Sequence, residues 1–281
     1  MARSDWRRPP LEPLDEGVRR IRMTVAYYGQ NYNGWQRQPN GVGVSDRIEQ
    51  EIQGMVGEKV KLVGSGRTDS GVHALAQVCH FDMFNQRIDG KVFAIALNSL
   101  LPTDIRIMES CEVDGSFHSR YTAMGRKYRY YVKQEREMSP FDAKQVWKVR
   151  RFPDIELLNA YAAHIQGTHD FTTFTACGDT STSRFRDVYE SYWAYEVDRF
   201  GCKVLTYTIS GNAFLYRMIR SVVGTMLEFA EKGVDADTFK EILESKNRKR
   251  SGRTAAPWGL YFYAVSYDPS EYAWFEEQHH E

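Results

Sequence analysis

Three observations predict an α+β fold. Segments whose apolar residues recur every second position alternate with segments at helical spacing. Their order, strand-helix-strand-strand-helix-strand, runs once through Cys111 and recurs in a close variant over the rest of the chain. The composition, 42% hydrophobic and 26% charged over 281 residues, is that of a folded globular chain with one large or two moderate domains. Two such halves side by side would form one wide, mainly antiparallel sheet backed by helices, with a central cleft.

Each element has its own warrant. Residues 1–19 mix Pro, Arg and acids without periodicity and read as a mobile leader. Ile21-Arg22-Met23-Thr24-Val25-Ala26-Tyr27 alternates as a half-buried strand does. After a Gly/Asn-rich loop, Val44, Ile48, Ile52 and Met55 recur at helical spacing, and Gly57 marks the stop. Strands follow at Val60 to Val63 and Ala76 to Asp82, then a helix from Asp89 to Leu100 and a strand from Ile105 to Cys111. This β-α-β-β-α-β order is the ferredoxin-like pattern. Further on, Arg126 to Lys133 and Val146 to Val149 read as strands, Asp154 to Ile165 as a helix, and Val188 to Asp198 with Lys203 to Ser210 as a hairpin. Asn212 to Glu231 reads as one long helix, Asp235 to Ser245 as another, and Gly259 to Tyr267 as a final strand. The expected organisation is a leader at 1–19, halves at 20–114 and 115–270, and an acidic tail at 271–281.

Lys+Arg and Asp+Glu each number 37, so the formal net charge is zero, which excludes a wholly basic nucleic-acid coat. The charge is uneven, however. Arg120, Arg126, Lys127, Arg129 and Lys133 lie in one acid-free segment, and Lys246, Arg248, Lys249, Arg250 and Arg253 in another. Basic residues interleaved with aromatics, as in Arg126-Lys127-Tyr128-Arg129-Tyr130-Tyr131, suit an RNA surface or an ordinary solvated strand face. No apolar run is long enough to span a membrane, the N-terminus lacks the apolar run of a secretory signal, and four widely spaced cysteines suggest neither a zinc site nor a disulfide framework. These features predict a soluble protein of the reducing cytoplasm. Scattered histidines with no carboxylate partner at ligand spacing argue against a metal centre.

The segment Gly64-Ser65-Gly66-Arg67-Thr68-Asp69-Ser70-Gly71-Val72-His73 falls in the loop between two expected strands. Its glycines permit tight backbone and its carboxylate could serve as nucleophile, general base or metal ligand. A loop in which Asp-Ser-Gly only satisfies its own backbone fits the same spacing. It is neither a phosphate-binding Walker loop nor a dinucleotide fingerprint.

Gly66 to Ala74 resembles the signature loop of the TruA family of tRNA pseudouridine synthases. Similar matches run in order along nearly the whole chain: Tyr32-Asn33-Gly34-Trp35-Gln36-Arg37-Gln38, Asn98 to Ile105, Phe117-His118-Ser119-Arg120-Tyr121 through Tyr130, Gly167 to Phe171, Asn212 to Arg220, and Ala256 to Tyr261. The resemblance implies that Asp69 is the essential aspartate, attacking the uridine ring or its ribose C1′ so that the base detaches, rotates and rejoins through C5. It implies that Arg67 helps the base leave the RNA stack, Tyr128 stacks on it, Arg220 pairs with the aspartate, and Leu260 lines the pocket. Arg126, Lys127 and Arg217 are further candidates for substrate binding, Arg217 and Arg220 sharing a face of the expected helix. Core packing for Tyr128 and a solvent-facing role for Arg217 are the alternatives.

The family implied is a homodimer of two ferredoxin-like halves, using no metal or organic cofactor. Three departures from its pattern stand out. Ser70 replaces a commoner Ala, Lys127 a frequent Arg, and Val44-Ser45-Asp46 the usual helix start, the Lys costing bidentate phosphate contact. The expected function is isomerisation of uridine to pseudouridine at positions 38–40 of the tRNA anticodon stem-loop. Its rivals are a relative acting on other RNA positions and a non-catalytic RNA-binding protein on the same fold.

Overall fold

The computed structural model of the chain describes residue 11 and residues 13–36 and 41–268; most of the leader, the tail at 271–281, and Arg37 and Gln38 lie outside the described residues. It is a mixed α+β chain with mainly antiparallel strand pairing, as expected. It divides into two compact units, Gly125–Leu260 forming one and the residues up to Met124 with Tyr261–Tyr267 the other.

The unit up to Met124 contains β1 (Arg19–Tyr27), α1 (Val44–Val56), β2 (Val63–Gly64), β3 (His73–Met83), α2 (Val92–Leu100) and β4 (Ile105–Val113). The strands run β4-β1-β3 with β2 antiparallel on β3, which is the ferredoxin-like order. The alternation in β1 buries Ile21, Met23 and Val25 completely. α1 spans the predicted residues, with Ile48 and Ile52 buried, the Asp46 carboxylate accepting the Gly43 amide at 2.8 Å, and Gly57 at φ 76 closing the helix. The edge strand β4 is guarded by α2. The Asn98 side-chain amide donates to the Ile107 carbonyl and accepts the Ile107 amide, both at 2.8 Å, so those backbone groups are occupied.

The final strand, β10 (Leu260–Ser266), belongs to this same unit from Tyr261 onward. The reason is pairing: Tyr261 and Phe262 lie in parallel register with His73 and Ala74 of β3, and the Met124 amide donates to the Ser266 carbonyl at 2.9 Å.

The Gly125–Leu260 unit contains β5 (Gly125–Gln134), β6 (Trp147–Val149), α3 (Ile155–Ile165), β7 (Gly167–Asp170), β8 (Phe185–Val197), β9 (Lys203–Gly211), α4 (Met218–Lys232) and α5 (Ala236–Glu244). Its strands run β5-β9-β8-β7, with β6 parallel on β5. The expected β8–β9 hairpin is present, whereas β7 had no periodic signature in its four residues. Asp154 and Asp235 cap α3 and α5 by accepting the amides of Glu156 and Thr238.

One expected element is shorter than its pattern. The helix anticipated from Asn212 begins only at Met218. Residues 212–217 are instead hung on neighbouring aspartates: Asn212 exchanges backbone and side-chain bonds with Asp187, and the Tyr216 amide donates to Asp179 at 2.6 Å. Arg217 therefore takes a left-handed conformation, φ 57, ahead of the helix, and does not share a helical face with Arg220.

Candidate active site

The loop between β2 and β3 is immobilised by contacts from four distant segments of its own unit. At its start, Ser65 is buried, its hydroxyl donating to Gln77 Oε1 at 2.6 Å while Gln77 Nε2 donates to the Gly66 carbonyl at 2.7 Å. In the middle, the Thr68 hydroxyl lies 2.8 Å from Tyr27 Oη, and the Thr68 carbonyl accepts the Trp35 amide at 3.3 Å. Gly34, at φ 88, passes so close that a Cβ there would overlap the Thr68 carbonyl. The Ser70 hydroxyl donates to the Tyr32 carbonyl at 3.2 Å. The Val72 amide closes a turn on the Asp69 carbonyl at 3.1 Å, with Gly71 at φ 78.

The end of the loop is held by His73. Its ring is 1% exposed, lying between Tyr28 at 4.7 Å and Tyr261 at 4.6 Å, and its Nδ1 accepts the Gly29 amide at 3.0 Å. Nδ1 accepting a hydrogen bond assigns the ring proton to Nε2. His73 is thus a support of the loop. Tyr32 Oη donates to Asp104 Oδ1 at 2.6 Å, and burial followed by that carboxylate raises the phenol's pKa. The Ser119 hydroxyl donates to the Val63 carbonyl at 2.5 Å and lies 2.8 Å from His80 Nδ1. Against this backing Arg67 is exposed at the loop surface and Asp69 is half-buried at the turn.

The other candidate residues belong to the Gly125–Leu260 unit. Tyr128, 6% exposed, shares the buried face of β5 with Tyr130 and Val132, and its ring meets Phe214 edge-on at 5.4 Å. Arg126 is buried and donates to the Asn212 carbonyl at 2.6 Å, while Lys127 pairs with Glu190 at 2.9 Å. Arg129 pairs with Glu196 at 3.2 Å, and Lys133 is buried between Asp142 and Asp198. The acid-free run on β5 is therefore compensated by acids elsewhere in its unit, chiefly on β8 and in the turn after it.

Arg220 lies in the first turn of α4. Its Nε donates to the Ala255 carbonyl and its own carbonyl accepts the Ala255 amide, both at 2.9 Å. Gly224, one turn on, permits this approach, since a Cβ there would overlap the Arg253 carbonyl. Arg217 is exposed, its guanidinium 4.9 Å over the Tyr216 ring. Leu260 is 6% exposed at the start of β10. Just before it, Gly259 lies against the Tyr130 ring, where a Cβ would come within 2.6 Å, and Tyr130 Oη donates to the Ala256 carbonyl at 2.7 Å. Burial lifts the Tyr130 phenol well above its ordinary pKa, keeping it a donor.

Gly34, Gly224, Phe214 and Tyr130 are supports that sequence reasoning did not single out. Gly34, Phe214 and Tyr130 fall inside matched segments, but only the close approach in space shows what they do. No cluster of three or more His, Cys, Asp or Glu able to hold a metal occurs among the described residues.

The described residues thus hold a carboxylate at a fixed turn on an α+β scaffold with a ferredoxin-like half. Comparison with known proteins shows the family. A profile of the family described as tRNA pseudouridine synthase matches residues 23–122 and 161–268. The chain is 41% identical over 250 residues to tRNA pseudouridine synthase A of Acetivibrio thermocellus, covering 89% of this chain and all of that protein. It is 37% identical over 259 residues to the protein of the same name from Treponema denticola, covering 90% and 95%. For that of Bacillus pumilus the identity is 38% over 251 residues, covering 89% and 99%. The chain belongs to the TruA family of tRNA pseudouridine synthases.

Proposed function

We propose that this chain isomerises uridine to pseudouridine at positions 38–40 of the tRNA anticodon stem-loop, with Asp69 as nucleophile. The observation that carries the reading is the loop itself: its residues are fastened from Tyr27, Tyr32, Trp35 and Gln77, so that the Asp69 carboxylate is presented from rigid backbone. A nucleophile held in place loses little freedom on attack.

In the reaction the N1–C1′ bond breaks and a C5–C1′ bond forms. The proton on C5 leaves and N1 gains one, so atoms and electrons balance without an oxidant or reductant. Asp69 supplies its electron pair at C1′ or at C6 and recovers it when the base rejoins. Taking uridine out of its stack costs a few kcal/mol, which the aromatic face of Tyr128 offsets. In this reading Arg67 helps the base leave the stack, Arg220 directs the carboxylate, and Leu260 lines the pocket. Arg217 contributes a phosphate contact from the surface. Arg126 and Lys127 would exchange the Asn212 carbonyl and Glu190 for phosphate if they bound RNA directly. The same family reading makes the working enzyme a cytoplasmic homodimer.

Unmodified tRNA transcripts treated with the protein and mapped by carbodiimide-dependent primer extension test this. Stops at positions 38–40 are expected with the wild type and none with Asp69→Ala, both proteins binding tRNA. Stops at other positions would overturn the positional assignment. Binding without pseudouridine in any tRNA would identify a non-catalytic RNA-binding module.

A further inference from the structure

At the end of β5 remote from Tyr128, two loops of the Gly125–Leu260 unit are tied together by one buried ammonium. Lys133 has a fully buried side chain, and its Nζ lies 3.0 Å from Asp142 Oδ2 and 2.7 Å from Asp198 Oδ2. Burial alone would lower the Lys133 pKa, but bonds to Asp198 and Asp142 outweigh it and raise it. Asp142 also accepts the Ser139 amide at 2.7 Å, and Asp198 Oδ1 accepts the Phe200 and Cys202 amides at 2.9 Å. Each aspartate thus organises its own loop while Lys133 joins the two.

The joint has a consequence at the surface. Phe141, next to Asp142, and Phe200, two residues after Asp198, stack at 5.4 Å with 25° between their planes. They are nonetheless 63% and 47% exposed. Phenyl rings fixed in place yet left in water mark a surface that meets something. The Arg199 guanidinium lies 4.8 Å over the Phe200 ring, and Lys203 Nζ lies 3.4 Å over the ring of Tyr195, itself 38% exposed. Asp142 and Asp198 are turned inward to Lys133, whereas Arg199 and Lys203 are exposed.

We propose that Phe141 and Phe200, flanked by Arg199 and Lys203, form a second RNA platform that stacks an unpaired base of the substrate outside the reaction site. The proposal rests on the RNA-modifying function proposed above. Exposed aromatic faces beside exposed cations complement bases joined by phosphates. A second copy of the same surface would instead set Arg199 and Lys203 against their own kind. Tyr128 and Lys133 are five residues apart on one strand, about 17 Å. That places the platform beyond the reacting nucleotide but within the span of a folded RNA, so it acts on affinity and not on chemistry.

The full-length protein carrying Phe141→Ala and Phe200→Ala, the single variant Arg199→Ala, and Phe200→Trp test this with transcribed tRNA. The double variant is expected to raise Kd and KM about tenfold with kcat at saturating tRNA unchanged. Arg199→Ala should reduce the slope of log Kd against log salt by about 1. Phe200→Trp should keep affinity, with its indole fluorescence quenched as RNA is added. An unchanged Kd in a double variant that unfolds at the normal temperature would overturn the proposal. So would a fall in sedimenting mass with tRNA affinity intact, which would assign the surface to a protein contact. If the wild type binds tRNA through this platform but forms no pseudouridine, the functional reading fails and the platform stands; the reverse pattern removes the platform alone.

Discussion

Asp69 depends on residues more than thirty positions away. Gly34 lies against the Thr68 carbonyl at φ 88, so Gly34→Ala meets both a steric overlap and a left-handed backbone. The expected outcome is a loss of about 1–3 kcal/mol in urea unfolding together with a fall in kcat, since the displaced atom is one residue from the carboxylate. His80 makes a second prediction. Burial, then the charge of Arg20, lowers its pKa from 6.5 to about 3, and its Nδ1 accepts the Ser119 amide at 3.2 Å. Between those values the unfolded chain binds a proton that the folded chain refuses, so stability falls as pH drops below 6.5. Unfolding at pH 5 should show about 2 kcal/mol less stability from this group than at pH 7, a difference that His80→Asn removes. At this scale the sequence made Asp69 readable through resemblance, while its spacing alone favoured a plain turn. Tyr27 and Gln77 carried no such mark, because their link to the loop exists only once β1 and β3 pair.

Among the elements, α1 was legible from end to end because its buried positions, Asp46 and Gly57 all agree locally. Residues 212–217 were not. Ala213, Phe214 and Leu215 continue the apolar spacing of α4, yet bonds to Asp187 and Asp179, distant in sequence, override it. β7 escaped notice for the opposite reason, its four residues having no pattern until β8 offers an edge. α4 also shows how an element positions a candidate residue. Gly224 lets the backbone at Arg253 to Ala255 lie against the helix, where Ala255 holds Arg220 by two hydrogen bonds. Gly224→Ala should push that segment away and lower kcat more than it raises KM, while Gly54→Ala, with open space around it, leaves both unchanged. Asn98→Ala should strip two bonds from Ile107 of the edge strand, cost about 1–3 kcal/mol and increase aggregation measured by light scattering.

At the scale of the whole molecule, a net charge of zero does not describe the surface an RNA would meet. The cations of β5 are largely spent on protein partners, but Lys249, Arg250 and Arg253 in the second basic segment are exposed, as are Arg199 and Lys203. Binding of tRNA should therefore weaken steeply with ionic strength despite the neutral total, and a flat dependence of log Kd on log salt would remove these segments from the interface. The α+β class and the order of strands were readable because alternation and helical spacing are local signals. The grouping of β10 with β3 was not, since it joins residues nearly two hundred positions apart. Under the proposed function, Asp69 performs the isomerisation and is not needed to hold the RNA. Tritium release from tRNA labelled at uridine C5, measured at matched tRNA occupancy, tests it most directly. Wild-type protein should release tritium, while Asp69→Asn, binding tRNA with similar Kd, should release none above background. Release by Asp69→Asn at a rate near that of the wild type would remove Asp69 from the chemistry.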